Sequence, residues 1–384
     1  MIKRDEYDET VHWIVSLNWR WNTITTKSRD ESLTLQQLQA GLLRIEKQHP
    51  LYPTLETKHF FREAGIAGEE RVAEVLRNYS FTFEHRILHD VSLVASTIFQ
   101  IDSLFLTRRY AFILEVKNIS GRLKFSNQSP QLIRTRADGQ VDGFDCPAAQ
   151  LERNVELFQE WLLMHGFHLP VFGVVVLAYP KQIVELAPAR TKILFPSNIP
   201  SYIRNLPPYP NKLDAEKLDF LTAEILRSHQ RFIPTPLCQT YSIYKNEIQT
   251  GVKCNLCNML GMEKFKKGWY CKRCKHHDKM AHKEAIKDWF LLFGDKMRNK
   301  DCREFLHIDN PQTATRLLQS MNLQSEGSYR DRSYSMIFQV NSLHFFTNGS
   351  KSLIIGSIVA TIGSKPSRIG NNHATIGSKS QQPR

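Results

Sequence analysis

Asp102, Glu115 and Lys117 are the residues whose types and spacing point most directly to chemistry. Asp102 interrupts the run from Ile98 to Thr107, and Glu115 and Lys117 close the run Ala111-Phe112-Ile113-Leu114-Glu115-Val116-Lys117. Both runs are apolar, β-branched and aromatic, and the short basic turn Thr107-Arg108-Arg109 separates them. The pattern predicts adjacent strands. Side chains alternate along a strand, so Glu115 and Lys117 share a face. Pairing as a hairpin brings Asp102 towards the same face. Two carboxylates with open positions suit a hard divalent cation such as Mg²⁺ or Mn²⁺. A lysine beside them can orient a water or stabilise charge developing on a phosphate. A charged edge hairpin with no chemical role would use the same residues, so the flanking chain has to decide.

The flanking chain supplies the elements that would position them. Gly65-Ile66-Ala67-Gly68-Glu69-Glu70-Arg71-Val72, with Val72, Val75 and Leu76 at helical spacing, predicts a tight entry into a helix. Its acidic pair is then favoured by the helix dipole. Pro147 suits the first position of a helix running to His165, with Leu151, Val155, Phe158, Trp161 and Leu162 as its apolar face. Gln150 lies in its first turn, within reach of the carboxylates. Val171 to Ala178 reads as a strand covered on both faces, and Thr191 to Phe195 as a further strand.

Taken together, Gly65-x-x-Gly68-Glu69, His89-Asp90, Gln100-Ile101-Asp102, Leu114-Glu115-Val116-Lys117-Asn118 with Gly121, Gln131 to Thr135, and Pro147 to Leu151 resemble the NERD (nuclease-related) domain. That family is a branch of the PD-(D/E)xK nuclease superfamily, and the resemblance covers roughly residues 61–180. It implies an α/β fold, a restriction-endonuclease-like mixed sheet flanked by helices. It implies that Asp102 and Glu115 hold the metal and that Lys117 assists the attacking water. Glu69 would stand near the metal, with Glu70 as the fallback, and Gln150 is the family's helical glutamine. Ile101 stands where the superfamily often has proline. Cys146 stands where the family commonly has asparagine, a departure that bears on capping more than on the metal.

Around this nuclease-like domain, set at residues 61–233, the chain divides further. Residues 1–60 read as a helical cap. There Thr34-Leu35-Gln36-Gln37 has capping-box form, and the stripe Leu35, Leu38, Leu42 and Ile45 is ended by Pro50 and Pro53. Trp13, Trp19 and Trp21 read as packing residues. Pro200 to Pro210 reads as a connection and Leu213 to His229 as a closing helix. In residues 238–280, Cys254-x2-Cys257 and Cys271-x2-Cys274 are two knuckles that predict a four-thiolate, structural zinc site. Lys264, Lys266, Lys267, Lys272, Arg273 and Lys275 surround them, with Trp269 and Tyr270 interleaved, as a surface for a phosphate backbone. Residues 281–338 read as three helices and two short strands, a winged helix-turn-helix. Gln312, Thr313 and Arg316 lie on the outer face of its third helix, and Arg330 and Arg332 on the wing. Residues 339–384 are Ser/Gly/Asn/Lys-rich, repeat Ala-Thr-Ile-Gly-Ser-Lys, and read as a disordered tail without assigned function.

Composition narrows the function. A net charge of +13 and a pI near 9.4 favour an anionic partner, nucleic acid before a membrane surface. Seven cysteines, four of them clustered by spacing, fit a metal site in a reducing cytoplasm and not a disulfide scaffold. No apolar run is long enough to span a bilayer, and no secretory leader is expected. The reading is a metal-dependent nuclease acting on DNA. The alternative is a catalytically inert module on the same fold that binds DNA or recruits protein.

Overall fold

The computed structural model describes residues 25–126, 129–294, 296–328 and 331–338. Trp13, Trp19, Trp21, Arg330 and the 339–384 tail lie outside the described residues. The chain is mixed α/β. A short strand, β1 (Thr25–Lys27), precedes two helices, α1 (Leu33–Arg44) and α2 (Tyr52–Asn78). Then comes an antiparallel meander of β2 (His85–Val94), β3 (Ile98–Thr107) and β4 (Ala111–Lys117). Three short strands follow, β5 (Arg122–Phe125), β6 (Gln131–Thr135) and β7 (Val141–Asp145). Helix α3 (Pro147–Met164) returns the chain to β8 (Val171–Leu177), which runs parallel to β4. Strands β9 (Ile183–Leu186) and β10 (Ile193–Leu194) and helices α4 (Ile199–Arg204) and α5 (Ala215–Ser228) complete this half. The main sheet has the order β1-β2-β3-β4-β8-β10, and β7-β6-β5-β9 form a second sheet.

Both faces of the main sheet are covered, which is why β4 and β8 are apolar almost throughout. Leu104, Leu106 and Ile113 pack with Phe158, Trp161 and Leu162 of α3 and Leu221 and Ile225 of α5. The alternate residues Phe105, Phe112, Leu114 and Val116 pack with Val72 and Leu76 of α2 and Ile199 and Ile203 of α4. Helix α4 occupies part of the stretch from Pro200 to Pro210 that composition alone reads as an irregular connection.

The helical starts differ from those expected. Ser32, not Thr34, caps α1, its Oγ accepting from the Leu35 N–H at 3.2 Å. Pro53 does not end a helix. It opens α2, whose first turn tolerates a missing N–H. Helix α2 has 27 residues, so a boundary at 60/61 falls inside it and Gly65 to Gly68 lie in its middle. Gly68 is there for close approach: a Cβ would lie 2.9 Å from Asn118 Cβ and 3.0 Å from Ala178 Cβ. The helix can therefore press directly on the carboxyl ends of β4 and β8.

The second half continues with α6 (Leu237–Tyr241) and four short antiparallel strands, β11 (Val252–Lys253), β12 (Leu260–Phe265), β13 (Gly268–Tyr270) and β14 (His277–Asp278). After them come α7 (His282–Phe293), β15 (Met297–Arg298), α8 (Asn299–Leu306), α9 (Pro311–Gln319), β16 (Leu323–Glu326) and β17 (Ser333–Met336). A strand between the first two helices, β15, goes beyond the two strands expected. The last three strands form one sheet in the order β15-β17-β16. This half shares one core with the N-terminal helices: Leu33 and Leu38 of α1 and Leu55 of α2 pack with Trp269, Phe290, Phe305 and Leu318. Arg44 pins the arrangement. It is fully buried, binds Asp288 at 2.8 Å and the carbonyls of Gln249 and Gly251 at 3.1 Å, and lies over the Phe305 ring. A buried charge this well satisfied is costly to disturb, on the order of 3–5 kcal/mol if one partner is lost.

Candidate active site

The β3–β4 ladder pairs Ser103 with Leu114, and Asp102 and Glu115 come next along it, on one face of the sheet. Asp102 is half-buried, and its Oδ2 accepts the Val116 N–H at 2.8 Å. Glu115 is 1% exposed. Its Oε1 binds Lys117 Nζ at 2.7 Å, and its Oε2 lies 3.4 Å from Asn154 Nδ2. The Lys117 ammonium also donates to Gln150 Oε1 at 3.0 Å. Gln150 reaches there because Pro147 starts α3 one turn earlier, over the face that carries Glu115. Asp102, Glu115, Lys117 and Gln150 are thus brought together at the carboxyl end of β4.

The electrostatics of this group are those of crowded carboxylates. Burial pushes Glu115 up to about 7, with the neighbouring Asp102 charge adding to the shift and Lys117 opposing it. Asp102 is also raised, by burial first, against the pull of Lys117 and the Val116 N–H. Two adjacent carboxyl groups that resist ionisation together are what a divalent cation would relieve. The oxygen donors fit such an ion.

Glu69 is not brought into this group. Its helix, α2, packs on the opposite face of the sheet, and its buried carboxylate is ion-paired with Arg29. Glu69, Asp102 and Glu115 do not all come within 4.8 Å of one another; among the described residues, only the four clustered cysteines form a group that close. The fallback, Glu70, is exposed and pairs with Arg77.

Three further residues belong to the site's surroundings. Asn154 donates to the Gln100 carbonyl at 2.9 Å and faces Glu115. Its spacing from Gln150, one helical turn, was a usable signal. Asp90 has φ 55° and stands where the β2–β3 ladder skips a pair, between His89–Ser103 and Val91–Ile101. Arg29 follows β1 and is attracted by Asp90 and Asp102. β1 itself is tied down by Lys27, which donates to the His89 and Asp90 carbonyls at 3.0 Å and to Asp30 at 3.1 Å. Asp30 also accepts from His229 Nε2, whose Nδ1 accepts the Ser92 N–H. Burial opposes the Asp30 charge, but His229 and Lys27 outweigh it and hold Asp30 at about 2.

The second constellation is the cysteine cluster. Cys254 and Cys274 sulfurs lie 3.5 Å apart, Cys257 and Cys271 sulfurs 3.6 Å, and all four fall within 4.8 Å of one another. A tetrahedral zinc with bonds of about 2.3 Å has sulfur–sulfur edges of about 3.8 Å, so the four thiols can hold that ion. The knuckles are alike: the N–H of Asn258 donates to the Cys254 carbonyl and that of Lys275 to the Cys271 carbonyl. Asn258 and Lys275 both have φ near +60°, which turns the chain back beneath the sulfurs. The backbone N–H groups of Cys274 and Arg273 lower the Cys271 thiol to about 6, while Cys274, against the pull of the His276 N–H, is pushed up to about 12 by desolvation and the neighbouring sulfurs.

The surface around the cysteines is less uniform than its sequence. Trp269 is no surface aromatic: it is 0% exposed, and its Nε1–H donates to His282 Nδ1 at 3.2 Å. Tyr270 is half-buried. Lys264 folds back onto the Lys266 and Gly268 carbonyls, and Lys272 pairs with Glu263. Lys266, Lys267, Arg273 and Lys275 are exposed, with no ion pair among the described residues. On α9, Asn310 caps the first turn, Gln312 and Arg316 are exposed, and Thr313 is half-buried. Arg332 is half-buried beside the hairpin of β16 and β17.

Comparison with known proteins bears on the first constellation. The family model of the nuclease-related domain, NERD, matches residues 64–178. That span runs from the middle of α2 to the residue after β8, and it contains Asp102, Glu115, Lys117, Gln150 and Glu69. It ends well before the cysteine cluster. No curated protein and no solved structure matches the chain. Among the described residues, no helix is long and apolar enough to cross a membrane.

Two outcomes are expected from this geometry. Glu115 has a folded-state pKa raised above its ordinary 4.5, so the folded protein binds more protons than the unfolded chain between that value and about 7. Stability without added magnesium therefore falls as pH rises through that window and levels off above it. Glu115→Gln is expected to raise Tm at pH 8 and to flatten the slope, as read by thermal melts from pH 5 to 8. Superimposable melts for variant and wild type would contradict the assignment. Metal analysis of protein purified without chelators is expected to give one zinc per chain, and Cys271→Ser with Cys274→Ser is expected to abolish it. A chain free of zinc would remove the cluster from the metal sites.

Proposed function

We propose that this protein is a divalent-metal-dependent nuclease that hydrolyses phosphodiester bonds in DNA. The observation that carries the proposal is the meeting of Asp102, Glu115, Lys117 and Gln150 at one strand end, within the span that resembles a nuclease-related domain. In this reading the main sheet and its helices are a restriction-endonuclease-like core. Asp102 and Glu115 would hold Mg²⁺ or Mn²⁺, and such an ion supplies Lewis acidity and a more acidic bound water. Lys117, steadied by Glu115 and Gln150, presents an ammonium to the water and to the charge developing on phosphorus. Asn154 and the Val116 N–H fix the carboxylate orientations, so little reorganisation remains when substrate arrives. Glu69 has a different part, as partner of Arg29.

The C-terminal half would hold the DNA. In the same reading the order α7-β15-α8-α9-β16-β17, with β17 central in its sheet, would make a winged helix-turn-helix. Helix α9 then presents Gln312 and Arg316, and the hairpin carrying Arg332 is the wing. A zinc at the four cysteines would fix Lys266, Lys267, Arg273 and Lys275 as a phosphate-contacting face. The shared core of α1, α2 and the C-terminal helices gives the two halves a common support.

A panel of single-stranded, nicked, branched and duplex DNA, with RNA alongside, tests the reading under Mg²⁺ and Mn²⁺. Wild type is expected to cleave DNA only with a divalent ion. Asp102→Asn is expected to abolish cleavage with DNA affinity kept. Lys117→Met is expected to lower kcat by about 10²–10³-fold. Cleavage by Asp102→Asn at the wild-type rate, with contaminating nuclease excluded, would falsify the site. An inert wild type that still binds DNA tightly would favour the binding-module alternative.

A further inference from the structure

Arg29 belongs to none of the sequence motifs that point to a nuclease, and it precedes the span matched by the nuclease-related family. Its position is nevertheless tightly set. Two residues before it, Lys27 is buried and bound to the carbonyls of His89 and Asp90; one residue after it, Asp30 bridges Lys27 and His229. The chain on both sides of Arg29 is therefore anchored to the strand that bears Asp90. The guanidinium comes from there into the acidic corner. Nη1 pairs with Glu69, and Asp90 and Asp102 both attract the group. Nε and Nη2 are buried and have no hydrogen-bond partner among the described residues.

That pattern is unusual for a residue whose only task is to fasten β1 to α2. Such a task needs the Nη1–Glu69 contact and would leave the other nitrogens in water. Here the remaining donors of a planar fork suited to carboxylate and phosphate oxygens are buried and unpaired, on a segment anchored to the strand that bears Asp90. Burial works against the charge, and it is the carboxylates that sustain it. Glu69, on α2, is the ion-pair partner of Arg29 and does not join Asp102 and Glu115 in one close cluster of carboxylates.

We infer that Arg29 is a phosphate-contacting residue of the reaction centre and that Glu69 is the residue that positions it. The inference rests on the nuclease reading above. Hydrolysis forms one P–O bond from a water oxygen and breaks one P–O ester bond. The water loses a proton to solvent, and the departing alkoxide takes one up. A guanidinium keeps its protons at every working pH, so Arg29 neither gives nor takes one. Its contribution is hydrogen bonding to the non-bridging oxygens, whose charge grows as the bonds exchange.

The test uses the full chain and duplex DNA, with Arg29→Ala, Arg29→Lys, Glu69→Gln and wild type side by side. Three quantities are read: kcat with Mg²⁺, the salt slope of DNA binding without divalent ion, and Tm. Arg29→Ala is expected to lose about a hundredfold or more in kcat. Added guanidinium ion is expected to restore part of that rate, while an equal concentration of ethylammonium is not. Its salt slope is expected to fall by about one unit, as for one lost phosphate contact. Arg29→Lys is expected to keep the wild-type Tm and slope and recover only part of the rate. Glu69→Gln is expected to lose less than Arg29→Ala and to show no guanidinium rescue. Wild-type kcat in Arg29→Ala overturns the inference, as does a loss that follows Tm with no guanidinium rescue. If Arg29→Ala does not fold, a wild-type rate in Arg29→Lys overturns it instead. If wild type cleaves nothing, the nuclease reading has failed, and an unchanged salt slope in Arg29→Ala then removes the phosphate contact as well.

Discussion

Asp102 and Glu115 carry like charges to the same end of one sheet face, and the rest of the site answers to their repulsion. Neither ionises easily: burial disfavours both charges, and the Asp102 charge further opposes that of Glu115. The protein offsets this with donors placed one by one: the Val116 N–H to Asp102, Lys117 to Glu115, Asn154 towards the far oxygen of Glu115. Arg29 adds a cation from the other side. The balance is incomplete, since both carboxyl groups still titrate above their ordinary range. A site left short of positive charge in this way is suited to a doubly charged ion, which also explains why apolar strands tolerate acids at these positions.

The elements that deliver those donors are held by unequal means. Helix α3 is positioned by apolar packing of Phe158, Trp161 and Leu162 on the sheet, so Gln150 and Asn154 arrive on a rigid face. Strand β1 has three residues and little packing of its own, and its place depends on the buried Lys27, Asp30 and His229 network. Helix α2 spans both halves of the molecule. Leu55 near its start lies in the core shared with the C-terminal helices, while Val72 and Leu76 lie against the sheet. Gly68 lets it approach β4 and β8 closely enough to carry Glu69 to Arg29. Contacts made by the C-terminal half therefore have a continuous helical connection to the edge of the candidate site.

The carboxylate pair, Lys117 and Gln150 were legible because each is a chemical anomaly within a strong local pattern. An acid inside an apolar strand stands out without tertiary knowledge, but its role, and that of Gln150, became legible only through the resemblance of the flanking motifs to a nuclease-related domain. The cysteine cluster was legible from spacing alone. Arg29 was not, since its partner is forty residues away and the strand that places it is too short to show periodicity. Asp90 was noticed only as part of a motif, because nothing in the local sequence marks its left-handed backbone within a ladder of continuous register. Gly65 to Gly68 suggested a helix start, whereas the tertiary demand was for a helix middle that could press against two strand ends. Trp269 and Lys264 read as surface residues by composition; a buried histidine and two backbone carbonyls claim them instead.

The central claim is that Asp102 and Glu115 together form a divalent-cation site. Diffraction from crystals soaked in Mn²⁺, recorded at the manganese absorption edge, tests it directly and independently of any substrate. An anomalous peak bonded to carboxylate oxygens of both Asp102 and Glu115 is expected, distinct from any zinc at the four cysteines, with Glu69 still paired to Arg29. Manganese bound elsewhere, or no peak between the two carboxylates at ion concentrations that support cleavage, would contradict it.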